Sequence, residues 1–195
     1  MEEKVDRIRI EPTDESIRSY GLVNVTWETC LFELVNNSIQ AAEDRDLDLE
    51  LEIGMFFNED EVLNKISISD KSGGISRQDI KLALTPSGKK QSETTLSEHG
   101  LGLNVAQEFF IRDGGTAEII SYLEDDAFMI NDKVSYINEI LLKPVEERED
   151  HSGLSIIFDN ISSLDFCKYP TRATSQGFNT WLDACIKYRY KYEDF

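Results

Sequence analysis

The sequence predicts an α+β protein: a two-layer α/β sandwich whose mixed, mostly antiparallel sheet carries its helices on one face. Three observations predict it. Apolar residues recur with helical spacing at 26–44, 100–112 and 175–190. Strand-like runs follow one another at 116–124, 126–131, 133–142 and 153–159, with an earlier pair at 49–57 and 65–69. Consecutive strands mixed with helices favour a sheet covered from one side. The 195 residues, 40% hydrophobic and 30% charged, suit one domain spanning 1–195 with a real core.

In chain order, Val5, Ile8 and Ile10 suggest an edge strand over 5–11, ended by Pro12. The first helix, 26–44, has the apolar stripe Cys30, Leu31, Leu34, Val35, Ser38, Ile39 and Ala42. The strands 49–57 and 65–69 flank a turn at 58–61. Ser76, with Asp79 three residues on, caps a short helix over 76–84. Residues 85–98 are rich in Ser, Thr, Gly and Lys, and this long polar stretch suggests a lid or binding loop. The helix over 100–112 is expected to bury Leu103, Ala106, Phe109 and Phe110. The last helix, 175–190, is expected to bury Phe178, Trp181, Leu182, Cys185 and Ile186.

Composition narrows the function. The net charge is −18, which repels nucleic-acid phosphates, so direct nucleic-acid binding by this domain is not expected. The acidic runs 43–52, 59–61 and 146–150 lack the alternation of a calcium loop and suit solvated faces. No apolar stretch is long enough for a bilayer, and Met1-Glu2-Glu3-Lys4 is too acidic for a targeting peptide. Cys30, Cys167 and Cys185 are odd in number and widely spaced, as expected of reduced thiols in a cytoplasmic protein.

Three motifs carry chemistry. On the first helix, Glu33 and Asn37 are four residues apart, so they differ by roughly 40° about the axis and share the face opposite the apolar stripe. The Asn37 amide oxygen suits Mg²⁺, and Glu33 could activate a water for attack on a γ-phosphate. The same pair also suits a solvated polar face. Asp70-Lys71-Ser72-Gly73-Gly74-Ile75 follows a strand, which places Asp70 to accept from a ligand amine while the glycines admit its flat face; a plain turn is the alternative. His99-Gly100-Leu101-Gly102-Leu103-Asn104 opens a helix whose bare N–H groups suit phosphate. It is neither a Walker loop nor a dinucleotide fingerprint: no Gly-Lys-Ser/Thr follows it, and a polar loop stands where a strand would precede it.

Together, in this order, the motifs resemble the GHKL superfamily of the Bergerat fold, which includes type II topoisomerase ATPase subunits, 90-kDa heat-shock chaperones, sensor histidine kinases, MutL proteins and MORC ATPases. Glu33 to Ser38 looks like the N box, Asp70 to Gly74 like the G1 box and His99 to Asn104 like the G2 box. The resemblance covers about 26–160, and His-Gly-Leu-Gly-Leu with the preceding Ser-Gly-Lys-Lys loop looks most like the MORC and MutL branch. It implies an ATP-binding domain that uses Mg²⁺, with Glu33 as general base and Asn37 as metal ligand. Asp70 would bind the adenine amine, Gly74 and Ile75 would pass beside the base, and the Gly100–Leu103 backbone (Gly100, Leu101, Gly102, Leu103) would hold phosphates. Residues 85–98 would be the ATP lid. Lys89, Lys90 and His99 would stand near phosphate, or serve as solvated loop residues.

The chain departs from the family pattern in places. Gln40 stands where many members have Asp, Ser72 where Gly is frequent, and Asn104 where the resembled branch has Lys. Residues 152–156 occupy the place of a Gly-Thr element; Leu154 lacks the hydroxyl, and Ser155 could substitute only if the register shifted by one, which would turn it to the other sheet face. A transducer domain, the usual source of a phosphate-binding lysine in this branch, is not expected within this length, so turnover by the chain alone should be slow. The expected role is a nucleotide-gated switch acting on a second copy or a protein partner. A phosphotransferase acting on a separate protein and a non-catalytic nucleotide sensor are the alternatives. Residues 188–192, Tyr-Arg-Tyr-Lys-Tyr, suit partner docking or a frayed end, and Trp27, Trp181 and His151 suit structural positions.

Overall fold

The computed structural model describes residues 6–9, 27–60, 62–84, 102–111, 114–131, 139–145 and 151–161. Strands β1 (Asp6–Arg9), β2 (Leu51–Phe57), β3 (Leu63–Asp70), β4 (Thr116–Tyr122), β5 (Ala127–Ile130), β6 (Glu139–Pro144) and β7 (Gly153–Asp159) form one seven-stranded sheet in the order β1-β6-β5-β4-β7-β3-β2. Every strand pairing among them is antiparallel, so the parallel pair that a mixed sheet implies is absent among the described residues. The helices are α1 (Trp27–Glu43), α2 (Ile80–Leu84) and α3 (Gly102–Ile111).

Alternation along the strands decides which side the helices cover. In β3, Leu63, Ile66, Ile68 and Asp70 are buried, whereas Lys65, Ser67 and Ser69 face the other way. Ile119 of β4, Ile130 of β5, Leu142 of β6 and both Ile156 and Phe158 of β7 continue the buried side. This side shares one core with Cys30, Leu31 and Leu34 of α1, Ile80 and Leu84 of α2, and Leu103, Ala106 and Phe110 of α3. The Phe110 and Phe158 rings meet at 4.9 Å between centroids, which joins α3 to the centre of the sheet. The two-layer sandwich follows from this one-sided burial.

Several boundaries differ from the sequence reading. Helix α2 is assigned from Ile80, after a turn that begins at Ser76. The cap itself is present: Ser76 Oγ accepts from the Asp79 N–H at 3.1 Å and donates to its carboxylate at 2.9 Å. Of the strand expected over 133–142, the described part is Glu139–Pro144, which ends two residues later; 132–138 lie outside the described residues. Phe109 is half-buried, packed against the core rather than within it.

Helix α1 is more enclosed than a one-faced stripe implies. Val35 and Ile39 of the expected stripe are buried, but so are Phe32 and Asn36 outside it, and the half-exposed strip is Glu33, Asn37, Gln40 and Ala41. The helix ends in a Schellman turn: the Leu47 N–H reaches the Ala42 carbonyl at 3.0 Å and the Asp46 N–H reaches that of Glu43 at 3.1 Å, with Asp46 left-handed at φ 54°. Among the described residues no helix is long and apolar enough to cross a membrane. The expected helix over 175–190, with Cys167, Trp181, Cys185 and residues 188–192, lies outside the described residues.

Candidate functional site

Asp70 is the last residue of β3, and the alternation that buries Ile66 and Ile68 turns its carboxylate to the helix side of the sheet. It is 5% exposed. A carboxylate there needs donors, and α1 and the following turn supply them. Ser38 Oγ donates to Asp70 Oδ2 at 2.6 Å. The Leu34 carbonyl is farther, at 3.4 Å, so the hydroxyl proton goes to the carboxylate. Oδ1 accepts from the Ser72 N–H at 3.0 Å, from the Ser72 hydroxyl, and from the Leu154 N–H at 3.3 Å.

The turn after Asp70 is bound on three sides. Gly73 and Gly74 adopt φ +92° and +65°, which L side chains rarely take. A Cβ on Gly74 would collide with the Tyr122 carbonyl oxygen, so this glycine lets the turn lie on the ends of β4 and β7. From the turn that ends α1, Arg45 Nη2 donates to the Gly74 carbonyl at 2.8 Å while Nη1 donates to that of Ala41 at 3.0 Å. From β4, the buried Ser121 hydroxyl accepts from the Ile75 N–H and donates to the Ile75 carbonyl, both at 2.8 Å. Ile75 is thereby fixed through its backbone, and its side chain packs against the core.

Asn37 is the chain neighbour of Ser38, so the Glu33–Asn37 strip runs beside the hydrogen bond that ties α1 to Asp70. Both residues are half-exposed and stand on one strip of the helix. Gly102 and Leu103 form the first turn of α3, which packs against α1, and Leu103 is buried at 7% exposure. Lys89, Lys90, His99, Gly100 and Leu101 lie outside the described residues, as does the whole of 85–98.

Ser155 departs from its expected place. Asp70 pairs with Leu154 and Ser69 with Ser155 in an unshifted register, so Ser155 stands on the opposite sheet face from the Asp70 carboxylate. There its hydroxyl meets that of Ser69 at 2.9 Å. A cavity of about 490 Å³ opens at this end of the sheet; Glu52, Ser69, Tyr122 and Ser155 line it from outward positions, and Asp70 and Leu154 line it as well. The Asp70 carboxylate is turned to the helix side, where Ser38 meets it, so the cavity touches the acceptor residue while its outward lining belongs to the other sheet face.

Sequence reasoning passed over four residues. Arg45 and Ser121 act through long-range contacts that leave no local signature. Ser38 did carry a signal, as a hydroxyl within an apolar stripe. Gln107 is fully buried on α3, and neither its amide nitrogen nor its oxygen has a hydrogen-bond partner among the described residues. It is a buried polar group one turn beyond Leu103.

The residues present suit a purine nucleotide. Oδ2 of Asp70 holds one donor and has a lone pair to spare for a ligand amine. Among the described residues no three His, Cys, Asp or Glu side chains converge on a metal-sized site. A single neutral amide oxygen, that of Asn37, fits Mg²⁺, which keeps its waters and binds mainly through substrate phosphates. Compared with known families, residues 23–159 match the one described as histidine kinase-, DNA gyrase B-, and HSP90-like ATPase. No match is found among curated proteins.

Proposed function

The chain belongs to the histidine kinase-, DNA gyrase B-, and HSP90-like ATPases, an ATP-binding family, and on that premise we propose that it is a Mg²⁺-dependent nucleotide switch that hydrolyses ATP slowly. The observation that carries this is the Ser38–Asp70 hydrogen bond. It fastens the helix bearing Glu33 and Asn37 to the strand end bearing the buried acceptor. Purine recognition and phosphate chemistry then belong to neighbouring parts of one site.

Each residue has a role in the proposal. Asp70 accepts the adenine amine on Oδ2. Gly74 keeps the turn flat against β4 and β7, beside the base. The first turn of α3 offers its backbone N–H groups to the phosphates. Asn37 contributes its amide oxygen to Mg²⁺, which would offset charge on the phosphate oxygens. Glu33, one turn earlier on the same strip, orients a water and takes its proton. The closeness to the MORC and MutL branch, the lid role of 85–98 and the phosphate contacts of Lys89, Lys90, His99, Gly100 and Leu101 remain part of the proposal. So does the action on a second copy or a partner protein.

One titration tests it. In calorimetry with Mg²⁺ present, ATP and ADP should bind and GTP should bind far more weakly, since its keto oxygen meets an acceptor. Labelled ATP should release free phosphate. Equal binding of ATP and GTP, or no binding of either, defeats the proposal.

A further inference from the structure

Asp70 holds its donors unevenly. Oδ1 accepts three: the Ser72 N–H at 3.0 Å, the Ser72 hydroxyl and the Leu154 N–H at 3.3 Å. Oδ2 accepts one, the Ser38 hydroxyl at 2.6 Å. A carboxylate offers about four lone-pair sites, two on each oxygen. Among the described residues, Oδ1 is therefore full and one site is left, on Oδ2. The closest of the three donors on Oδ1 is the hydroxyl of Ser72, a residue only 2% exposed. The paired strand brings only a main-chain N–H at this level, because Leu154 has no polar side chain.

We infer that Ser72 is a positioning residue: its hydroxyl anchors Oδ1 and holds Asp70 as a one-sided acceptor, so that the site selects a base carrying an amine. The inference rests on the reading of Asp70 as the acceptor for a nucleotide base. An amino-substituted ring presents an N–H to the remaining lone pair. A keto-substituted ring presents an oxygen, to which an acceptor-only group has nothing to give. Without the Ser72 hydroxyl, Oδ1 is held by two main-chain donors, one of them long. The carboxylate can then turn about its Cβ–Cγ bond and admit water, and a bridging water donates to a keto oxygen as readily as it accepts from an amine.

The test compares ATP with inosine triphosphate, whose purine has a keto group in place of the amine, by calorimetry on the wild type, S72A and S72T. The wild type should favour ATP. S72A should reduce that preference by about tenfold, the scale of one hydrogen bond to a charged group. S72T keeps the hydroxyl and should keep the preference. A merely structural Ser72 would lower the thermal midpoint of S72A and leave the ATP-to-inosine ratio unchanged, and that result overturns the inference while the reading of Asp70 stands. A wild type that does not distinguish the two nucleotides overturns both. S72A only removes an atom, so its folding does not hinge on extra space.

Discussion

Arg45 and Gly74 are joined by a 2.8 Å hydrogen bond from the guanidinium to the carbonyl, while the same guanidinium holds Ala41 of the preceding helix turn. One side chain thus clamps the end of α1 to the glycine turn after Asp70. A cation at a helix C-terminus is also favourable in itself. Arg45→Ala should cost about 1 kcal/mol of stability, the low end for charged hydrogen bonds because Arg45 is exposed. It should weaken ATP binding several-fold by loosening the turn. Arg45→Lys should recover little, since an ammonium lacks the fork that spans both carbonyls. Urea unfolding and calorimetry on the two variants check this, and an Arg45→Ala protein with unchanged affinity removes the clamp from the site.

Glu50 and Lys71 give a second, weaker tie at the same end of the sheet. Lys71 Nζ lies 2.6 Å from Glu50 Oε2, and both side chains are largely exposed. The hydrogen bond from Lys71, then its charge, holds the Glu50 carboxyl below its ordinary value. Because the folded value is the lower one, the stabilisation exists above the ordinary carboxylate range and is lost as pH falls through the lowered value. Lys71→Met should move the Glu50 midpoint up towards that of a free glutamate in an NMR titration. High salt should shift the wild-type midpoint the same way, by less, because salt screens the charge but leaves the hydrogen bond.

In the proposed function, Glu33 decides whether the site hydrolyses or only binds. It stands on the half-exposed strip of α1 with Asn37, and as a carboxylate it is not among the donors that hold Asp70. Glu33→Ala should therefore leave ATP affinity within about twofold, well under the tenfold that one unit of RT ln 10 represents. Phosphate release should vanish, since no base then takes the proton of the attacking water. A variant that turns over at the parent rate would show that Glu33 is not the base. Retained binding without hydrolysis would separate the switch from its reset.

Much of the fold was legible because it rests on local periodicity. The apolar stripe of α1, the alternation along β3 and the Ser76–Asp79 cap are patterns of a few residues, and each lies where the sequence put it within a residue or two. Strand order was not legible, since it depends on pairings such as Ser69 with Ser155 across 86 positions. The candidate site divides in the same way. Glu33, Asn37, Asp70 and Gly74 stand out as motif residues. Of the partners that orient them, Ser38, 32 positions away, carried a signal as a hydroxyl in the apolar stripe, whereas Arg45 across 29 positions and Ser121 across 46 carried none. Ser72 shows why single departures from a pattern mislead: read alone it disturbs a glycine turn, whereas in the fold its hydroxyl is bonded to Asp70.

Asp70→Asn isolates the acceptor from its surroundings. Three donors converge on the Oδ1 position, so the amide of the variant must turn its oxygen there. Its NH₂ group then replaces Oδ2, the atom that now faces Ser38 and has the spare lone pair. Ser38 can adapt, because its hydroxyl accepts as well as donates. An adenine amine cannot, because it would meet donor against donor. The fold should survive with a loss of about 1–2 kcal/mol, the difference between a charged and a neutral hydrogen-bond acceptor. Adenine nucleotide affinity should fall by about 100-fold, and inosine nucleotides, with a keto oxygen at that place, should lose far less. Calorimetry with both nucleotides, alongside urea unfolding, reads the two effects separately. A variant whose adenine and inosine affinities fall together in proportion to its stability would mean that Asp70 is a structural carboxylate and that the base is recognised elsewhere.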